Sequence, residues 1–268
     1  MREYILGFIG AGNMSQAIIS GAIEKKVVKS DNVFVFDIDN NKINALNASN
    51  GVKLALSAKA LSEACDIIVL AVKPNVLPNV LSEIKDFSRG KTLVSIAAGW
   101  DADKIKSVVG TDQHVIRLMP NTPMMVGEGM SVFETPSNAD GETLTFVEGV
   151  FGALGKVAHA PSKLMHAVTA MSGSGPAYVF MFIEALTQAG VVCGLQEELS
   201  ATLAAQTVLG SAKMVQETGT HPSELKEAVC SPGGTTIEGV KSLEEDGFNA
   251  AIISAVQKAT EKSKKLAQ

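Results

Sequence analysis

The stretch Ile5-Leu6-Gly7-Phe8-Ile9-Gly10-Ala11-Gly12-Asn13-Met14-Ser15 decides the fold. Its first five residues make an apolar run of strand length, and a helical segment around Ala17 to Ala22 follows the glycines. A strand, a glycine turn and a helix in that order make a dinucleotide fingerprint credible. Gly10 permits the tight turn, Gly12 lets backbone approach a pyrophosphate, and the third small position, here Ser15, lets the helix pack closely on the strand. The first N–H groups of the helix and the positive end of its dipole would then meet the phosphates. An ordinary structural turn can carry the same glycines. The strand before, the helix after and the early place in the chain favour the dinucleotide reading.

Outward from this turn, further strand candidates are Asn32-Val33-Phe34-Val35-Phe36, Asp66-Ile67-Ile68-Val69-Leu70-Ala71-Val72, Lys91-Thr92-Leu93-Val94-Ser95-Ile96 and His114-Val115-Ile116-Arg117-Leu118. Runs that are apolar on both faces suit a buried parallel sheet whose crossovers are helices. The expected class is α/β. A Rossmann-like, doubly wound, mostly parallel sheet over residues 1–160 is followed by an all-helical domain over 161–268. In the second part Pro176 opens a helix that Gly194 stops, and further helices are expected at about 196–218, 222–230, 234–246 and 248–266. Gly219, Pro232-Gly233-Gly234 and Gly247 separate them. The helix from Pro176 is apolar nearly all round (Val179, Phe180, Met181, Phe182, Ile183) and is expected to be buried on most faces. A helical domain this small offers few places to hide it, so packing between subunits is expected.

The 268 residues fit one or two domains, and 46% hydrophobic content with only 19% charged residues excludes a disordered chain. Aromatics at 5% argue against an all-β sandwich. A net charge of −5 excludes the basic footprint of a nucleic-acid binder. The basic tail Lys258, Lys262, Lys264 and Lys265 reads as a solvated helix end. The longest unbroken apolar stretch, Ala177 to Ile183, is too short to cross a bilayer, so no membrane partner is expected. Tyr4 to Ile9 runs into the glycine loop without a cleavage-like site and reads as a strand, not a leader. Cys65, Cys193 and Cys230 form neither a disulfide framework nor a zinc pattern, which points to a reducing cytoplasm. His114, His159, His166 and His221 have no metal-ligand spacing, and no metal is expected.

Asp37, 25 residues past Gly12, stands where a carboxylate accepts hydrogen bonds from the adenosine ribose and disfavours a 2′-phosphate. It can equally cap the next helix. With no arginine nearby and only Lys42 to approach a phosphate, the residues slightly prefer NADH over NADPH. Ligands lie beyond the carboxyl ends of open α/β strands, which brings in Ala71-Val72-Lys73-Pro74 and Ser95-Ile96-Ala97-Ala98-Gly99. Small residues there allow a flat cofactor to lie against the backbone. Lys73 either pairs with an anionic group or is simply exposed.

Three more segments carry a resemblance: Arg117-Leu118-Met119-Pro120-Asn121-Thr122-Pro123, Ser172-Gly173-Ser174-Gly175-Pro176-Ala177-Tyr178 and Cys230-Ser231-Pro232-Gly233-Gly234-Thr235-Thr236-Ile237. With the glycine loop and the Val72-Lys73-Pro74 turn, they resemble the pyrroline-5-carboxylate reductase family over essentially the whole chain and in matching order. The resemblance implies hydride transfer from NADPH or NADH to the imine carbon of L-1-pyrroline-5-carboxylate, giving L-proline. It also implies an active site between the two domains of a homodimer, and dimers that assemble into a larger ring such as a decamer. By the same resemblance Ser231, Gly234, Thr235 and Thr236 bind the substrate carboxylate, and Thr236 hydrogen-bonds the ring nitrogen. The cofactor would contact Ile9, Gly10, Ala11, Gly12, Asn13 and Met14, then Ala71 to Pro74 (Ala71, Val72, Lys73, Pro74) and Ile96, Ala97 and Ala98.

The residues themselves allow that role. Two glycines followed by hydroxyls at a helix start offer several donors to an anion, although an ordinary capping turn reads the same way. Cys230 lacks a histidine placed as its base and reads as structural. Some family members carry an acidic residue just before the histidine-proline pair; Thr218-Gly219-Thr220 stands there, so no such role transfers. An iminium carbon needs alignment more than acid–base help, so no tuned dyad is expected. One rival is another imine or 3-hydroxyacid oxidoreductase of this layout, which relies on a lysine on the long helix; Gly175 to Phe180 has none. Another is a non-catalytic dinucleotide sensor, against which the Ser231 to Thr236 loop weighs.

Overall fold

The computed structural model describes residues 3–267. Strand β1 (Leu6–Ile9) runs into helix α1 (Asn13–Glu24). The step repeats through β2 (Val33–Phe36), α2 (Asn40–Asn50), β3 (Lys53–Leu54), α3 (Ala58–Ala64), β4 (Ile67–Leu70), α4 (Leu77–Ile84), β5 (Thr92–Ser95), α5 (Ala102–Val109) and β6 (His114–Met119). A 3-10 turn (Thr122–Val126) leads to β7 (Gly129–Thr135), α6 (Gly141–Gly152) and β8 (Gly155–Pro161). Beyond β8 the described chain is helical. Helix α7 (Met165–Val168) passes into a π-helical turn (Thr169–Gly173), followed by α8 (Gly175–Val192), α9 (Glu197–Thr218), α10 (Pro222–Val229), α11 (Thr235–Glu245) and α12 (Phe248–Ala267).

The eight strands lie in the order β3-β2-β1-β4-β5-β6-β7-β8. β1 to β6 are parallel, β7 is antiparallel to β6, and β8 is parallel to β7. The expected doubly wound sheet is therefore present, and its winding reverses between β1 and β4. Three strands were invisible as apolar runs because they lie at or near the sheet's edges. β3 is two exposed residues, β7 carries Ser131 and Glu134, and β8 is largely half-exposed. Neighbouring residues of the central strands point to opposite faces. In β4, Ile67 and Val69 join one apolar cluster with Ile18, Ile19 and Phe151, whereas Ile68 and Leu70 join another with Leu61, Leu77 and Leu81. This alternation explains the unbroken apolar strand sequences.

Two compact units result. One holds the chain up to Ser174 together with the chain from Ala259 onward, and the other is Gly175–Lys258. Strands end at Pro161, but packing carries the first unit further, because Met165 joins a cluster with Met119 and Val132.

Helix α8 narrows one expectation: its own chain does not supply its cover. It has no buried residue within the chain, and Phe180 and Met181 are 62% and 72% exposed. A helical unit with so few layers cannot enclose a helix that is apolar all round. The bilayer bound drawn from the longest apolar run was also too narrow. By length and composition alone the helical stretch Ser162–Val192 is sufficient to cross a membrane. Exposed apolar area of this kind marks an association surface. In solution the chain should size by light scattering as a dimer or larger; a strict monomer would count against packing between subunits.

Candidate functional site

At the carboxyl end of β1, Gly10 N donates to Phe36 O at 2.8 Å and Ala71 N donates to Ile9 O at 2.9 Å, so the turn is held from both neighbouring strands. Gly10 has φ +104°, and a Cβ there would lie 2.5 Å from the Ala71 carbonyl oxygen. Only glycine tolerates both conditions. Gly12 is different. Its φ of −72° and ψ of 177° suit any residue, and a Cβ would meet nothing within 4 Å. The chain's own packing does not require glycine at this position, and its absent side chain leaves the backbone open to a ligand. Helix α1 starts here with no side-chain cap and no acidic residue in its first turn. The N–H groups of Asn13, Met14 and Ser15 thus lack intrahelical acceptors and, with the helix dipole, suit a pyrophosphate. These features fit a dinucleotide.

The side chains of Ile9 and Ala11 are buried in the core, so they shape the loop, while Asn13 is exposed. Ser15 is fully buried, as the close-packed third position requires. Asp37 is shared between two backbone donors: Oδ2 accepts from Ala11 N at 2.7 Å and Oδ1 from Asp39 N at 2.9 Å. The cap of α2 is Asp39, which accepts from Asn41 N at 3.0 Å. The capping alternative for Asp37 is thereby corrected, and Asp37 instead ties the end of β2 to the glycine loop.

A cleft of about 410 Å³ opens at the carboxyl ends of β4, β5 and β6. Met14, Ala71 to Pro74 and Ile96 to Ala98 line it, which gathers segments far apart in sequence. Lys73 is exposed at this cleft, so both readings of it meet in one place. Met119 to Thr122 and Thr169, Gly173 and Ser174 complete the lining, and sequence reasoning gave none of them a site role. The signal was available, since β6 has a carboxyl end like β4 and β5. Asn121 joins these walls: its Oδ1 accepts from Met130 N at 2.8 Å and its Nδ2 donates to Ser172 O at 3.2 Å. The π-helical turn, closed by Ser174 N to Thr169 O at 2.9 Å, is a rare element that recurs at functional sites.

In the second unit, Gly234 N donates to Ser231 O at 3.0 Å, Gly233 has φ +69°, and Gly234 precedes α11 as its N-cap with no side-chain cap. The hydroxyls of Ser231, Thr235 and Thr236 have no hydrogen bond among the described residues. Thr236 is half-buried, and Ser231 and Thr235 are exposed. A capping turn would use its hydroxyl on the helix; this one leaves both hydroxyls and N–H groups open, as an anion cradle needs.

His221 caps α10, its Nδ1 accepting from Ser223 N at 3.2 Å, and His159 meets Glu148 at 2.7 Å. Burial, with Arg117 and Lys264 nearby, pushes the pKa of His166 down. Burial pushes the Cys65 thiol up to about 12, which makes it inert. Cys230 is half-buried. Among the described residues no group of three potential metal ligands occurs.

Fold and site together define an oxidoreductase architecture, a dinucleotide-type sheet followed by a helical unit. Residues 5–99 match the family described as NADP oxidoreductase coenzyme F420-dependent, and residues 162–266 match Pyrroline-5-carboxylate reductase dimerisation. The Escherichia coli pyrroline-5-carboxylate reductase is 44% identical over 99% of both chains, and the Arabidopsis thaliana enzyme 42% over 99% of this chain and 96% of its own. The NADP-bound pyrroline carboxylate reductase of Plasmodium falciparum superposes with a TM-score of 0.90 at 36% identity, covering all of both chains. The chain belongs to the pyrroline-5-carboxylate reductase family. A Streptomyces aurantiacus imine reductase (15% identity, TM-score 0.57, 97% of this chain and 93% of its own) shares the fold alone.

The two glycines of the loop should separate on mutation. Gly10→Ala should cost about 1–3 kcal/mol of stability and lower the thermal midpoint. Gly12→Val should keep the midpoint and lose NADPH uptake, measured by fluorescence titration; retained uptake would refute the cradle.

Proposed function

We propose that this chain reduces the imine of L-1-pyrroline-5-carboxylate to L-proline, the last step of proline synthesis, using NADPH or NADH. The observation that carries it is the open donor loop Ser231 to Thr236, in a chain matching reductases of this name over 99% of its length. When bound, the dinucleotide supplies the hydride. The N-terminus of α1 holds its pyrophosphate, and Ile96, Ala97 and Ala98 give its flat ring a shallow wall. Backbone N–H groups at Gly234 and Thr235, with the Ser231 and Thr235 hydroxyls, bind the substrate carboxylate. The Thr236 hydroxyl hydrogen-bonds the ring nitrogen and orients the imine. An iminium carbon is already electrophilic, so alignment supplies most of the acceleration. The protein acts in the cytoplasm as a homodimer built on its helical unit, with a ring such as a decamer as the larger assembly. Neither a metal nor a nucleic acid takes part.

NADPH is the better-supported donor, because the Plasmodium falciparum relative holds NADP. Each Asp37 oxygen accepts one backbone N–H group, which gives this carboxylate a role in holding the glycine loop beside any reading of the ribose. Lys42 Nζ lies 3.8 Å from an Asp39 carboxylate oxygen just past the end of β2. Asp37→Ala should loosen the glycine loop and raise KM for NADPH and NADH by similar factors; a loss confined to NADH would restore the ribose-reading role. Thr236→Ala should lower kcat by about 10-fold or more while cofactor affinity holds, in line with removal of one positioning hydrogen bond. Wild-type turnover in that variant would refute the role of Thr236.

A further inference from the structure

We propose that the last turn of α12, Ser263 to Ala267, is a positioning element that holds two walls of the dinucleotide cleft; this rests on reading that cleft as the cofactor site. Ser263 is the only buried residue of α12, and its Oγ meets His166 Nδ1 at 3.0 Å. A buried hydroxyl needs a partner, and here the partner lies three residues ahead of Thr169, where the π-helical turn of the cleft begins. The first wall is therefore tied to α12 through a specific polar contact.

The second wall is the loop after β5. Gly99 follows directly on Ile96 to Ala98, has φ +77°, and would place a Cβ 3.0 Å from the carbonyl oxygen of Leu266. The helix end lies against the loop at a position where a side chain would be both strained and crowded. Lys104 Nζ then donates to Ala267 O at 2.8 Å, setting a cation on the negative end of α12, and it also lies 5.0 Å from the centre of the Trp100 ring. Lys104 belongs to α5, whose start Asp101 caps by accepting from Lys104 N at 2.7 Å.

None of residues 259–267 joins the apolar clusters of the first unit. The turn thus adds little to the core, and its contacts are polar and close to the cleft. Loops that line a cleft need outside support, because misplacing reacting groups by about 1 Å can cost about 100-fold in rate.

The test compares wild type, a chain ending at Lys262, Ser263→Ala and Ser263→Thr. The measurements are NADPH dissociation constant, kcat, KM and thermal midpoint. The truncated chain should keep its midpoint within a few degrees, bind NADPH more weakly and lose about 10-fold or more in kcat, a fraction of the misplacement limit. Ser263→Ala should move the same parameters less, and Ser263→Thr should restore them. Should the truncated chain fail to fold, the two Ser263 variants decide. Wild type that takes up no NADPH overturns the reading of the cleft, and the proposal with it. Wild type that binds, beside variants with unchanged affinity and kcat, overturns the proposal alone.

Discussion

The backbone of Gly10 runs so close to the Ala71 carbonyl that a Cβ would sit 2.5 Å from its oxygen. That approach lets β1 and β4 lie side by side at the point where the sheet reverses its winding, and the rest of the first unit follows from it. Because β1 ends there, α1 starts with bare N–H groups aimed past Gly12. Because β4 ends beside it, Ala71 to Pro74 line the same cleft as Met14. Asp37 extends the arrangement to β2 by holding the Ala11 N–H.

A second constraint acts at β6 and β7. Arg117 and Glu134 face each other across these strands and form a buried ion pair, 3% and 8% exposed. Such a pair is costly to desolvate but strongly penalises any register that separates it. Arg117 lies on the strand that ends at Met119, and Met119 to Thr122 line the cleft from the end of β6.

Much was legible in order along the chain. The five helices after Pro176 were expected within a residue or two of where they lie, because glycine and proline punctuate them sharply. The central strands were legible because both their faces are buried. The edge strands β3 and β8 were not, since an exposed or half-exposed strand has no continuous apolar run, and buried β7 was not because Ser131 and Glu134 interrupt its run. That α8 needs a cover was legible, but that its own chain supplies none was not, because an all-apolar helix gives the same pattern whether a chain's own core or another surface covers it.

By itself the sequence determined the strand–glycine–helix start, the division into sheet and helices, and the family, because those depend on local turns, periodicity and short motifs. Only the tertiary structure decided that Asp37 serves the glycine loop while Asp39 caps the helix, since both are acidic residues just past the same strand and only geometry separates them. The same holds for the cleft, where Met119 to Thr122 and Thr169, Gly173 and Ser174 meet Ala71 and Ala98. Their meeting depends on strand order, and strand order is a long-range property that local sequence does not encode.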